Sequence, residues 1–125
     1  MNENELSRII VDRSLKIHRA LGPGLLESVY EKILFYEMTN SNIKCKRQVD
    51  IPVFYENIKM DIGFRADLII EDKVIIELKS VEKILPVHKK QVLTYLKITG
   101  MKLGLLINFN VELIKNGITR IVNNL

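Results

Sequence analysis

Asp67, Glu77 and Lys79 interrupt an otherwise apolar stretch, Ala66 to Lys79, in which β-branched runs flank the polar trio Glu71, Asp72 and Lys73. The pattern predicts two strands joined by a short turn. Side-chain direction in a strand repeats every two residues, so Glu77 and Lys79 point the same way. Val74, Ile75, Ile76 and Leu78 around them read as a strand covered on both faces, where charged side chains are rare. Two carboxylates and an ammonium gathered beside a buried sheet carry a large desolvation cost unless something binds there. A divalent cation on the carboxylates and a phosphate on the ammonium would offset it. The competing readings are a cross-sheet ion pair of Glu77 with Lys79 and a salt bridge of Asp67 with Arg65.

The register of the hairpin decides whether these groups can share a ligand. A two-residue turn at Glu71-Asp72 would set Asp67 opposite Ile76 and send the two carboxylates to opposite faces of the sheet. A shared cation requires one residue more, from either a three-residue loop, Glu71 to Lys73, or a bulge on one strand. Either device places Asp67 beside Glu77.

The elements that must hold this hairpin are legible as periodicities. Glu3 to Leu21 carries Leu6, Ile9, Ile10, Ile17, Ala20 and Leu21 at helical spacing, and Gly22-Pro23 stops it. His18, in its last turn, is expected to complement the helix dipole. A second helix is expected from Gly24 or Leu25 to Thr39, with Leu26, Val29, Ile33, Leu34 and Met38 inward. Its first turn carries Glu27, an ordinary place for an acid, and Tyr30 shares that face at i+3. Ile43 to Tyr55 is extended, and Pro52 within it marks an edge strand or a bulge. Ile58 to Ile70 alternates, with Ile58, Met60, Ile62, Phe64, Ala66, Leu68 and Ile70 on one face and Arg65 and Asp67 on the other.

Pro86 introduces a third helix, about Val87 to Thr99, on which His88, Gln91 and Tyr95 form one stripe. His88 reads as a surface residue, Gln91 equally as surface or site, and Tyr95 equally as core or site. Lys89-Lys90 reads as a solvated face or as phosphate contacts. Lys102 to Phe109 is a further strand, and Val111 to Val122 reads as a strand pair around Asn116-Gly117. The order implies an α/β sandwich of three layers, a central mixed sheet flanked by helices. The strands before and after the third helix would be parallel, joined by a right-handed crossover.

With 125 residues, 47% of them hydrophobic, the chain suffices for one domain and its core. No apolar run is long enough to span a membrane, and Met-Asn-Glu-Asn-Glu is not the basic start of a signal peptide, so a cytoplasmic protein is expected. The one cysteine, Cys45, has no partner for a disulfide or a zinc site and is assigned no chemistry. A net charge of +4 permits an anionic partner such as nucleic acid.

Gly24-Leu25-Leu26-Glu27-Ser28-Val29-Tyr30 resembles the signature of the GxxExxY proteins, and Asp67 with Glu77-Leu78-Lys79 resembles the core of the PD-(D/E)XK nuclease superfamily. Gln91-Val92-Leu93-Thr94-Tyr95 is similar to the QxxxY motif of its RecB-like branches. Arg65-Ala66-Asp67 departs from the superfamily name, which has proline before the aspartate. The resemblance, from about Leu6 to Val122, implies a restriction-endonuclease-like fold and a Mg²⁺- or Mn²⁺-dependent endo- or exonuclease acting on DNA. It implies Asp67, Glu77, the carbonyl of Leu78 and Glu27 as metal ligands, and Lys79 as the residue that holds the attacking water. Gln91, Tyr95, Tyr30, Arg65, Lys89 and Lys90 would support the site or touch the nucleic acid. Because 125 residues leave no room for a separate reading module, such an enzyme would cut by DNA structure or ends, or act with a partner. The alternative is a non-catalytic nucleic-acid-binding or assembly protein, a homodimer among its forms, that retains the fold.

Overall fold

The computed structural model describes the backbone of residues 1–125 and every side chain except that of Ile62, whose expected facing lies outside the described residues. Helices α1 (Glu3–Leu21) and α2 (Glu27–Asn40) are followed by strands β1 (Cys45–Tyr55), β2 (Ile58–Ile70) and β3 (Val74–Lys79). Helix α3 (Pro86–Thr99), strand β4 (Leu103–Asn108), a 3-10 turn at Ile114–Asn116 and strand β5 (Ile118–Val122) complete the chain. The five strands form one sheet in sequence order. Neighbours are antiparallel except β3 and β4, which are parallel and joined through α3 as the connection requires. No helix is long and apolar enough to cross a membrane.

Three layers result, with α1 and α2 on one face of the sheet and α3 on the other. Asn2 caps α1 by accepting from the Glu5 amide at 2.8 Å. Leu6, Ile10 and Ile17 of α1 and Tyr30, Leu34 and Met38 of α2 share one core with Leu68, Val74, Ile76, Leu78, Leu105 and Ile107. A smaller core beneath α3 holds Ala66, Ile69, Ile75 and Leu96, with Phe64 and Tyr95 at its edge. Gly104 lets α3 lie that close, since a Cβ there would stand 2.5 Å from Val92 Cγ1.

Several sequence expectations shift. Helix α2 starts at Glu27, after Leu26 has served as an extended N-cap, and its inward stripe of Tyr30, Leu34 and Met38 leaves Leu26 73% exposed and Val29 exposed. His18 does more than face a dipole: it is buried, and its Nε2 lies 2.8 Å from the Val111 carbonyl. That contact ties the segment after β4 to α1, and in place of the expected strand pair around Asn116-Gly117 stand a 3-10 turn and β5 alone. Pro52 lies where the β1/β2 register shifts, between Ile51 and Val53, on the edge strand. β2 pairs with β3 only at Leu68, Ile69 and Ile70, so its first half pairs with β1 alone. Phe54, Tyr55 and Ile58 are exposed near the tip of that ribbon.

The strict alternation expected of β2 also breaks. Phe64 and Ala66 face α3, whereas Leu68 and Ile70 face α1 and α2, although all four share one parity. The reversal falls at Asp67. Strand β1 reverses at the opposite position, with Arg47 turned to α2 and Val49 to the α3 side, and Gln48 between them has a positive φ of 50°.

Candidate active site

The hairpin between β2 and β3 closes with the three-residue loop Glu71 to Lys73, since Ile70 pairs with Val74. Glu71 and Asp72 take φ values of 53° and 54°, and the Lys73 amide donates to the Ile70 carbonyl at 2.9 Å. This register sets Asp67 opposite Glu77, one step beyond the last ladder pair, Leu68 and Ile76. There the side chains take over from the ladder. The Asp67 amide donates to Glu77 Oε1 at 3.3 Å, and the Leu78 amide donates to Asp67 Oδ2 at 2.8 Å.

Glu77 is only 8% exposed. Burial first, and then the neighbouring Asp67 charge, push its carboxyl up to about 8. Lys79 follows on the same face of β3, half-buried, and makes no ion pair within 4.0 Å among the described residues. The competing pairs are therefore not formed, and Arg65 instead bonds Asp50 at 2.8 Å, well out on the exposed ribbon.

The remaining residues divide between support and surface. Tyr30 is fully buried, donates to the Gly22 carbonyl at 2.6 Å, accepts from the Leu25 amide at 3.2 Å and stacks on Phe109. It fixes the corner before α2 and cannot touch a nucleic acid. Glu27 Oε2 accepts from the Ser80 amide at 3.1 Å, holding the residue after Lys79. Among the described residues no three His, Cys, Asp or Glu side chains gather as a metal-holding group. Tyr95 stacks on Phe64 at 3.8 Å, and burial, then the Glu77 and Asp67 charges, raise its phenol above the ordinary value. Gln91, Lys89 and Lys90 are exposed on α3. Cys45 is half-buried with its thiol pushed up to about 12 by burial, in keeping with an inert strand cysteine.

Two residues escaped the sequence reading. Glu31, 5% exposed on α2, accepts from Arg47 Nε at 3.3 Å and from the side-chain amide of Gln48. The same Gln48 nitrogen lies 3.4 Å from Asp67 Oδ1. Glu31 neighbours Tyr30 and precedes Leu34 by three, so a charge on the inward stripe was its signal. That signal is visible only when the stripe is drawn through Tyr30. Gln48 had none, because nothing in the sequence marks a left-handed glutamine.

A mixed sheet between two helical layers, with an aspartate and a Glu-x-Lys facing each other on adjacent central strands, defines the restriction-endonuclease-like class. The model of the PD-(D/E)XK nuclease superfamily matches residues 4–121, and the chain belongs to that superfamily. Comparisons with curated proteins and with solved structures give no match.

Proposed function

We propose that this chain is a metal-dependent nuclease of the GxxExxY type that hydrolyses phosphodiester bonds in DNA. The observation that carries the reading is the juxtaposition of Asp67 and Glu77 at the end of the β2/β3 ladder, with Lys79 next on the same face. The donor set fits Mg²⁺ or Mn²⁺: it is all oxygen and comes from only two side chains, which suits an ion that keeps several waters, and binding would displace the proton that the buried Glu77 otherwise keeps. Each carboxylate spends one oxygen on a backbone amide, Glu77 Oε1 on Asp67 and Asp67 Oδ2 on Leu78. Glu77 Oε2 is left for the ion, and Asp67 Oδ1 shares only the long contact to Gln48. The Leu78 amide points toward β2, and in a strand the carbonyl of the same residue points the same way, into the opening.

When bound, the ion would polarise the phosphoryl oxygen and supply a nucleophilic water at neutral pH. Asp67 and Glu77 would hold it. The Lys79 ammonium, next on the same face and close enough for its charge to act on Glu77, would hold the attacking water and stabilise charge that develops on the phosphate. Glu27 fixes the chain just beyond Lys79 through the Ser80 amide, and Tyr95 on α3, its phenol raised by burial and then by the Glu77 and Asp67 charges, lies close to them, while Gln91, a turn earlier, would support the site or touch the nucleic acid. Lys89 and Lys90, exposed at the start of α3, offer phosphate contacts that do not depend on sequence.

The test is incubation of the pure protein with labelled single-stranded, duplex and branched DNA in Mg²⁺, Mn²⁺ or EDTA. Cleavage that requires the cation and disappears in Asp67→Asn supports the proposal. Retention of DNA without cleavage under every condition would favour a binding or assembly role instead.

A further inference from the structure

Gln48 is a non-glycine residue held in the left-handed region, which side chains with a Cβ avoid. It stands opposite Asp67, between the pairs Arg47–Leu68 and Val49–Ala66, at the one step where both strands exchange faces. Its side-chain nitrogen donates to two carboxylates, the buried Glu31 and, at 3.4 Å, Asp67 Oδ1. One amide nitrogen carries two N–H donors, so both contacts can be made at once. Glu31 is itself held by Arg47 at 3.3 Å, whose guanidinium lies over the Phe35 ring.

We propose that Gln48 is a positioning residue for Asp67, tied through Glu31 to helix α2. With Oδ2 on the Leu78 amide and Oδ1 on Gln48, the Asp67 carboxylate is held at both ends, and its plane is fixed before any ion arrives. Such preorganisation lowers the ordering cost of cation binding. The left-handed backbone is the means: it turns Arg47 toward α2 and keeps Val49 under α3, so that the side chain between them reaches from the helix to the site. The inference rests on Asp67 being a metal ligand, as proposed above.

Gln48→Gly tests it, because glycine keeps the left-handed backbone without strain and removes the side chain that carries the amide. Calorimetric titration with Mn²⁺ and thermal melting would be run on the parent, Gln48→Gly and Asp67→Asn. The expected result is a Gln48→Gly melting temperature at or above that of the parent, with Mn²⁺ affinity about tenfold weaker or more. Parental Mn²⁺ affinity in Gln48→Gly, with binding lost in Asp67→Asn, overturns the positioning role and leaves the site reading standing. Parental affinity in Asp67→Asn overturns the site reading, and the role of Gln48 falls with it. A weakened affinity in Gln48→Gly that is matched by a lower melting temperature also counts against positioning, since loss of fold then explains it.

Discussion

The backbone amide of Asp67 donates to the carboxylate of Glu77 at the point where the β2/β3 ladder ends. A main-chain donor on one residue is thus satisfied by the side chain of the other, and the two carboxylates are held close without a protein cation between them. Mn²⁺ binding should accordingly depend on both. Asp67→Asn and Glu77→Gln are each expected to weaken it by more than about tenfold, or about 1.4 kcal/mol, by calorimetry. Parental affinity in both variants would place any metal elsewhere.

Lys79 stands apart from every ion pair among the described residues, which separates catalysis from stability. Lys79→Ala should lower the cleavage rate by about 10²–10³-fold, leave Mn²⁺ affinity near the parent's and leave the melting temperature unchanged or raised. A large fall in melting temperature with activity retained would show that Lys79 is structural.

Glu77 gives stability a pH dependence of known sign. Its folded carboxyl sits at about 8 against an ordinary 4.5, so between those values the folded state keeps a proton that the unfolded state has lost. Stability therefore falls as pH rises through that window, by at most about 1.4 kcal/mol per unit, and levels off above it. Chemical denaturation in EDTA should show this slope in the parent relative to Glu77→Gln. Parallel curves for the two proteins would rule it out.

Tyr30 holds the Gly22–Leu25 corner with two hydrogen bonds. Tyr30→Phe keeps the stacking on Phe109 but leaves the Gly22 carbonyl and the Leu25 amide without that partner, at a cost of about 1–3 kcal/mol. Thermal melting should fall by roughly 3–10 °C. An unchanged melting temperature would mean that water replaces the hydroxyl fully.

The three-layer order, the parallel β3/β4 pair and the one-residue shift of the hairpin could be reasoned from apolar periodicity and from what a shared cation demands of the register, while the choice of a three-residue loop over a bulge came only from the structure. Periodicity could not reveal where a strand changes face. The residues of β2 alternate without interruption in sequence, and the reversal at Asp67 falls opposite the left-handed Gln48 on the neighbouring strand. The inward stripe of α2 was likewise misplaced because Leu26 and Val29 are apolar, whereas Tyr30 and Glu31 earn their burial through hydrogen bonds. For the last segment, Asn116-Gly117 does turn the chain, but as the end of a 3-10 turn rather than of a hairpin.

Asp67 and Glu77 are only 10 residues apart in the chain and are brought together by one hairpin. Closing so short a loop costs little entropy, whereas the β3/β4 pairing must wait for the whole of α3 to be laid down. The carboxylate pair is consequently among the low-contact-order parts of the fold, available to nucleate early. The hairpin thus brings the two side chains together before the parallel pairing closes, and Gln48 on β1 joins them once β1 is paired.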